Sequence, residues 1–325
     1  MNKLYPLKFH PIFKGYIWGG NKLKHILGKD LGNLTMAAES WEISAVEDNI
    51  SVVANGFLAG HNLHEIIKMY MGDLVGEHIY EKYGIEFPIL IKFIDANDKL
   101  SIQVHPDDNL AIKRNLPNGK TEMWYVLQAE KGASLISGFT RKVSKDEYLN
   151  YFNSGELPGI LNNEKVSAGD VFDIPAGRIH AIGPGILLAE IQQTSDATYR
   201  IYDWERKDKS GKSRELHTEL AIDAIDYNYY KDYKTSYNSL INTTTELVHC
   251  DYFNTDLLKF DSKIEKDYSS VDSFIIYMCT EGSFTLHYDS DSIIVNKGET
   301  ILLPAVLETF QLEPKDSCTL LEIYL

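Results

Sequence analysis

The stretch AGDVFDIPAGRIHAIG, residues 168–183, decides the fold of this chain. Gly169, Pro175 and Gly177 predict a strand, a tight turn and a second strand, because glycine and proline mark the places where a β chain reverses. The turn sets the direction of the following strand, so that His180 is expected to point inward. We therefore predict a β structure with one histidine delivered to its interior.

Two shorter segments upstream place further polar side chains within apolar strands. SIQVHP contains Gln103 and His105, and KTEMWYV contains Lys120 and Glu122. Residues at positions i and i+2 of a strand share a face, so each pair can point to one place. Together with His180, the amide of Gln103, the imidazole of His105 and the carboxylate of Glu122 form a mixed set of metal ligands. Such a set holds a divalent metal with one position left open for substrate.

Each of these residues also has an ordinary structural explanation when it is taken alone. A single histidine in a β protein is usually a satisfied or surface residue, and Glu122 could face solvent. In HPDDNLAI, Asp107 or Asp108 could simply cap a short helix. The joint pattern favours the metal site, because the turn before His180 and the two polar pairs all occur within apolar strands.

Composition indicates a globular protein with one large or two smaller domains. Of its 325 residues, 44% are hydrophobic and 24% are charged. The net charge of -15 argues against a nucleic-acid partner, although a few local cations could still hold a small phosphorylated substrate. Three widely spaced cysteines favour a reducing compartment. No signal peptide and no membrane-spanning apolar run are found, which predicts a cytoplasmic protein without a membrane partner.

Short apolar runs between turn residues predict a mainly β fold with a few helices. Helices are predicted within residues 61–84, 107–115, 144–161 and 215–226. The third of these begins with Ser144 and Glu147 at the spacing of a capping box. The tyrosine-rich, polar segment 226–250 is predicted to be an exposed connection rather than core.

A domain boundary is predicted near Asn242. Residues 1–242 would form a metal-binding domain with helical segments, and residues 243–325 a smaller β domain. Gly298 and Pro304 repeat the spacing seen in the first domain between its strand glycine and turn proline. The second copy continues as PAVLETF, without a histidine, so we expect it to hold no metal. This weak internal repeat suggests a duplication with one chemically active copy.

The segment from Gly169 to His180 resembles a motif of the cupin superfamily, whose members are β jelly rolls. A more specific resemblance is to the short bacterial form of the type I mannose-6-phosphate isomerase family. It is carried by FKGYIWGG (13–20), AESWEIS (38–44), KLSIQVHPDD (99–108), GKTEMWYVL (119–127), IPAGRIHAIG (174–183) and LAEIQQTSDATYRIYDW (188–204). The resemblance implies two cupin-like jelly-roll barrels plus a few helices, the first barrel carrying the metal and the second degenerate.

The resemblance also implies one Zn²⁺ per chain, a phosphorylated sugar as substrate, and a set of site residues. These are Gln103, His105, Glu122 and His180 as zinc ligands, Arg200, Lys120 and Glu190 as catalytic residues, and Lys92 and Ser101 as substrate-binding residues. One position departs from the larger members of the family, in which a tyrosine stands two residues after the last zinc histidine. Here that residue is Ile182, so the resemblance implies no substrate contact by a tyrosine at this place.

The implied reaction interconverts mannose 6-phosphate and fructose 6-phosphate through an enediolate. Arg200 is always cationic and would stabilise the developing oxyanion. The proton that moves between C1 and C2 could be carried by Glu190, by Lys120, by a metal ligand or by water. The sequence leaves these alternatives open.

Other functions and structural roles remain open from the sequence. The fold would also suit another metal-dependent cupin enzyme, such as an iron oxygenase or a different sugar isomerase or epimerase, or a sugar-binding protein without catalysis. A glutamine ligand, Gln103, and the segment SDATYR favour the isomerase. Arg200 could instead pair with Asp196 or Asp203, and Lys92 could hold its amine in solvent.

Overall fold

The apolar runs between turns become strands, as seen in a computed structural model that describes residues 3–207 and 211–325. In chain order the first strands are β1 (Ile12–Lys14), β2 (Glu39–Ile43), β3 (Ala45–Val46), β4 (Asn49–Ile50), β5 (Ile89–Ala96), β6 (Ile102–Val104), β7 (Glu122–Ala129), β8 (Ser134–Phe139), β9 (Leu161–Lys165), β10 (Val171–Ile174), β11 (His180–Ile182), β12 (Ile186–Gln193) and β13 (Tyr199–Tyr202). The remaining strands are β14 (Thr243–His249), β15 (Asn254–Phe260), β16 (Ile264–Asp267), β17 (Ile275–Tyr288), β18 (Asp291–Asn296), β19 (Thr300–Leu303) and β20 (Thr309–Tyr324).

Two antiparallel sheets build the part of the chain that contains the predicted site. One has the order β1-β2-β5-β12-β7-β10, and the other the order β13-β6-β11-β8-β9. Ile94 and Trp124 of the first sheet pack in one buried cluster with Leu135 and Ile182 of the second. The two sheets therefore enclose a common interior, and both contribute residues to it.

The C-terminal strands form a third sheet with the order β14-β15-β20-β17-β18, in which β16 also pairs with β20 and β19 with β17. The turn glycines repeat as the sequence predicts, since Gly169 has a φ of 89° and Gly298 a φ of 82°. Only glycine adopts such angles without strain, which explains why both copies keep it. The prediction of a mainly β protein with few helices is confirmed.

Helices are short and lie outside the sheets. They are α1 (Lys22–His25), α2 (Leu63–Tyr70), α3 (Gly72–Val75), α4 (Glu77–Tyr83), α5 (Asp108–Lys113), α6 (Lys145–Asn153) and α7 (Thr218–Ala224), with 3₁₀ turns at Gly56–Leu58 and Leu157–Ile160. The predicted capping box of α6 is present, because Ser144 accepts from Glu147 N–H and Glu147 accepts from Ser144 N–H. Asp107, rather than its neighbour, caps α5.

The single helix predicted over residues 61–84 is wrong, since the structure divides it into three helices. Met71 and Gly76 have φ angles of 49° and 101°, which no α-helix contains. The middle helix turns its carbonyls toward the C-terminal sheet, where Leu74 O accepts from Ala305 N–H at 3.0 Å. The breaks between these helices thus occur where the chain contacts the C-terminal part. Hydrophobic periodicity alone does not predict such a contact.

The tyrosine-rich segment 226–250 is not only an exposed connection. Tyr233 is buried, and its hydroxyl donates to Phe139 O at 2.8 Å. Farther along, Tyr237 donates to Gly169 O at 2.7 Å. The segment therefore lies across the first two sheets, held by tyrosines that bury their rings and satisfy their hydroxyls.

One buried cluster joins the N-terminal part of the chain to the C-terminal sheet. It includes Ile91 and Ile191 of the first sheet, residues of α2–α4, and Ile276 and Ile323 of the third sheet. The third sheet begins at Thr243, next to the predicted boundary, but this core crosses that point. That residues 1–242 and 243–325 are separate domains stays a prediction.

No helix within the described residues is long and apolar enough to cross a membrane.

Candidate active site

The turn before β11 delivers His180 to the interior of the two sheets. Arg178 N–H donates to Pro175 O at 3.0 Å, and Gly177 N–H donates to His105 O, also at 3.0 Å. Gly177 has a φ of 89°, and a Cβ there would lie 3.0 Å from the carbonyl oxygen of Ala224. The turn therefore requires glycine, and it ties the backbone of the two histidines together.

Both histidines present their Nε2 atoms to one point. Nδ1 of His105 donates to Ala197 O at 2.8 Å, and Nδ1 of His180 donates to Arg178 O at 2.9 Å. These bonds place the ring proton on Nδ1 and leave Nε2 with a lone pair. Burial lowers the pKa of His105 to about 3 and also lowers that of His180. Both rings are therefore neutral at pH 7 and able to act as ligands.

Glu122 lies between the two rings as a carboxylate. Its Oε2 is 3.4 Å from His105 Nε2, its Oε1 is 3.3 Å from His180 Nε2, and Lys120 Nζ is 3.2 Å from Oε2. Burial acts to raise the pKa of Glu122, but its surroundings, first of all the positive charge of Lys120, hold the pKa well below its usual value. A negative charge is thus maintained at the centre of the cluster.

These residues fit a divalent metal. The donor atoms of His105, Glu122 and His180 lie within 4.8 Å of one another. Nε2 of His105 and both oxygens of Glu122 are buried without a hydrogen-bond partner among the described residues, an arrangement that is costly unless something binds there. The amide nitrogen of Gln103 is 3.1 Å from His180 Nε2, and rotation of the amide would present its oxygen instead. Two imidazoles, a carboxylate and an amide oxygen suit Zn²⁺.

A cavity of about 570 Å³ lies over the cluster. Its lining includes six of the predicted site residues, namely Lys92, Ser101, Gln103, Lys120, Glu190 and Arg200. The other three predicted residues, His105, Glu122 and His180, are buried beneath it. The structure therefore brings all nine to one place. Ile182 also lines the cavity and puts a short apolar side chain at the position where the family's larger members carry tyrosine.

Lys92 and Glu190 form a buried ion pair beside the cluster. Lys92 Nζ donates to Glu190 Oε1 at 2.9 Å and lies 3.8 Å from Glu39, so its amine is not in solvent. The other oxygen of Glu190 accepts from Trp124 Nε1 at 2.9 Å. Burial, followed by the charge of Glu122, raises the pKa of Glu190, which therefore accepts a proton more readily than an exposed carboxylate.

Arg200 extends from β13 over the cavity. Its backbone lies opposite Gln103 in the sheet register, and its Nη1 donates to Glu215 O at 2.9 Å. The described residues offer it no carboxylate within ion-pair distance, because Asp203 pairs with Arg206 and Arg214 instead. Arg200 Nε is buried without a partner among the same residues. Its guanidinium is thus available to an anion in the cavity.

Several cavity residues were not identified from the sequence. They are Lys14, Tyr16, Glu39, Asn49, Asp196, Thr198, Arg214 and His217. The segments FKGYIWGG and AESWEIS contain three of these residues, but their resemblance to the family did not indicate a role for them. Arg214 lies in a polar loop and His217 at the start of the predicted helix 215–226, both outside any motif, and only tertiary folding places them at the site.

Comparisons with known proteins agree with this arrangement. Residues 6–137 match the family described as phosphomannose isomerase type I, catalytic domain, and residues 243–325 match mannose-6-phosphate isomerase, cupin domain. The chain is 36% identical to the mannose-6-phosphate isomerase of Streptococcus mutans, over 91% of this chain and 92% of that protein. It is also 36% identical to the isomerase ManA of Bacillus subtilis, over 96% and 97% of the two chains.

A solved structure supports the same conclusion. The crystal structure of the mannose 6-phosphate isomerase from Bacillus subtilis superposes with a TM-score of 0.89 at 34% identity, covering 98% of this chain and 99% of the other. The predicted cupin-like fold is thereby confirmed. The candidate metal ligands and the cavity agree with these matches, which cover nearly the whole length of the relatives. The chain therefore belongs to the type I mannose-6-phosphate isomerase family, a family of aldose–ketose isomerases.

Proposed function

We propose that this protein is a zinc-dependent isomerase that interconverts mannose 6-phosphate and fructose 6-phosphate through an enediolate. The observation that carries the proposal is the buried cluster of His105, Glu122 and His180 beneath a cavity that Arg200 lines, in which His105 Nε2 and both Glu122 oxygens have no hydrogen-bond partner among the described residues. The names of relatives that match almost the whole chain support the choice of substrate.

We also propose a cytoplasmic location, supported by three free cysteines, which suit a reducing compartment.

The metal would be held by Gln103, His105, Glu122 and His180. When bound, it supplies a Lewis acid for the sugar oxygens on C1 and C2. The protein orients this site through hydrogen bonds behind the ligands, since the carbonyls of Ala197 and Arg178 fix both imidazole rings. One ion per chain is proposed.

Arg200 would stabilise the negative charge that develops on the sugar oxygen. Its position opposite Gln103 places the guanidinium next to the ligand cluster. Its Nη1 bond to Glu215 O holds the side chain in place before substrate arrives, so little reorganisation accompanies the reaction. Its Nε is buried without a partner among the described residues, which leaves a second donor uncommitted.

Two residues could carry the proton between C1 and C2. Glu190 has a raised pKa but already accepts hydrogen bonds from Lys92 and Trp124. Lys120 lines the cavity and contacts Glu122 at 3.2 Å. Deuterium exchange at the sugar carbons, compared in Glu190→Gln and Lys120→Gln, separates the two, because only loss of the proton carrier abolishes exchange while the metal is retained.

The proposal is tested by measuring fructose 6-phosphate formed from mannose 6-phosphate. The purified protein is assayed as isolated, after chelation, and after zinc is added back. We expect activity that the chelator removes and zinc restores. A folded, fully metallated protein without turnover would contradict the proposal and favour another cupin enzyme or a sugar-binding role.

A further inference from the structure

One carboxylate that follows β13, that of Asp203, binds two arginines. Asp203 accepts from Arg214 Nε at 2.7 Å and Nη2 at 2.6 Å, a bidentate pair, and from Arg206 Nη2 at 2.5 Å. Arg206 turns away from the cavity, toward Asp98 at 3.6 Å. Arg214 turns into the cavity and lines it. The same aspartate therefore fixes two guanidinium groups in different directions.

Arg214 and Arg200 leave an excess of positive charge at one end of the cavity. Asp203 pairs with Arg206 and Arg214, and the charges of all three of these residues act on the nearby Arg200. Burial, and next the charge of Arg214, lowers the pKa of Arg200, as expected for two cations held side by side. In a chain whose overall charge is -15, such a local excess indicates a place for an anion.

The order of groups along the cavity matches the two ends of a sugar phosphate. Gln103 of the ligand cluster lies opposite Arg200 in the sheet, and Arg200 is bonded to the backbone of Glu215, the neighbour of Arg214. Arg200 thus links the strand of the ligand cluster to the segment that carries Arg214, while Arg214 itself bonds to Asp203 and to no residue of the cluster among those described. In a hexose 6-phosphate, the carbons that react and the phosphate lie at opposite ends of the chain.

The three lysines that line the same cavity already have partners, since Lys14 donates to Asn49, Lys120 pairs with Glu122 and Lys92 with Glu190. The amine of Lys92 is paired with Glu190 at 2.9 Å and lies 3.8 Å from Glu39. A phosphate that approached Lys92 would meet two carboxylates, whereas Arg214 offers a guanidinium whose only paired carboxylate among the described residues is Asp203. A planar guanidinium also suits the oxygens of a phosphate.

We propose that Arg214 binds the phosphate of the sugar 6-phosphate and that Asp203 is the positioning residue that orients it. The inference rests on the proposed function, because it assigns the phosphate end of the same substrate. It adds a substrate-binding residue that the sequence motifs did not indicate.

The test compares Arg214→Gln with Arg206→Gln, which loses a bond to the same Asp203 but no contact with the cavity. Binding is measured by calorimetry with a hexitol 6-phosphate, which cannot isomerise, and with the unphosphorylated hexitol as the reference. We expect Arg214→Gln to weaken hexitol 6-phosphate binding and to raise KM by about 10- to 100-fold, as for one charge-assisted contact. Arg206→Gln is expected to keep both values within about 3-fold of the wild type.

The outcomes separate this inference from the proposed function. An equal loss of affinity for hexitol 6-phosphate in both variants, or an unchanged affinity in Arg214→Gln, would overturn the role of Arg214. An active wild-type enzyme whose KM does not depend on Arg214 would overturn this inference alone. An inactive wild type that binds hexitol 6-phosphate through Arg214 would support the phosphate site and contradict the proposed reaction.

Discussion

Glu190 and Glu322 occupy corresponding places in the two parts of the molecule. Each lies on the middle strand of three, β12 between β5 and β7, and β20 between β15 and β17. Each is buried and accepts a hydrogen bond from a lysine, Lys92 at 2.9 Å and Lys266 at 2.5 Å. Both parts thus bury a glutamate–lysine pair, although the lysines come from different places, Lys92 from β5 beside β12 and Lys266 from β16. Only the first part combines such a pair with the ligand cluster.

This correspondence supplies a matched pair of variants. Lys92→Met leaves Glu190 buried without its partner and is expected to lower the free energy of unfolding by about 3–5 kcal/mol. Lys266→Met should cost a similar amount, because the Lys266 and Glu322 side chains are 11% and 4% exposed, against 7% and 5% for Lys92 and Glu190. Urea unfolding measures both. Activity should fall only in Lys92→Met, and an equal loss of turnover in both variants would show that stability alone is responsible.

Loss of one imidazole from the cluster should remove the metal. His105→Ala and His180→Ala each delete an Nε2 atom that faces Glu122. Because changes behind metal ligands already cost up to about 100-fold in affinity, deletion of a ligand should cost more. Metal content per chain and zinc affinity are the measurements. His249→Gln, which changes a histidine paired with Asp256 outside the site, should keep one ion per chain.

Arg200→Ala should lower kcat by about 100-fold or more, as for other donors to a developing oxyanion. The metal should stay, because Arg200 contributes no ligand atom to the cluster. Steady-state kinetics with metal analysis check both points. Arg141→Ala, which removes an arginine paired with Glu147 at the surface, is the control. A near-normal kcat in Arg200→Ala would exclude the role in charge stabilisation.

The break between α3 and α4 should depend on a glycine. Gly76 has a φ of 101°, and a Cβ there would lie 2.3 Å from the carbonyl oxygen of Asp272. Gly84 also has a positive φ, 61°, but open space around it. Gly84→Ala should therefore cost about 1 kcal/mol of stability, and Gly76→Ala clearly more. Similar unfolding midpoints for the two variants would show that contact with the C-terminal sheet contributes little there.

Local patterns predicted much of the fold. The turn at Pro175–Gly177, the capping box at Ser144, and the strands of alternating or continuous apolar residues all depend on neighbours in the sequence. The helix over 61–84 was mispredicted, because the contacts between Leu74 and Ala305 join residues far apart in the chain. Tyr233 was assigned to an exposed connection for the same reason, since its partner, Phe139, is distant in sequence.

The sequence by itself determined the family, the mainly β fold and the residue types that gather at the site. Spacing within a strand identified Gln103 with His105, and Lys120 with Glu122, because side chains two apart share a face. Only the tertiary structure decided that two sheets meet so that Glu122 lies between two histidines and that Arg214 turns into the cavity. Charges and distances across separate strands depend on packing, which no local pattern encodes.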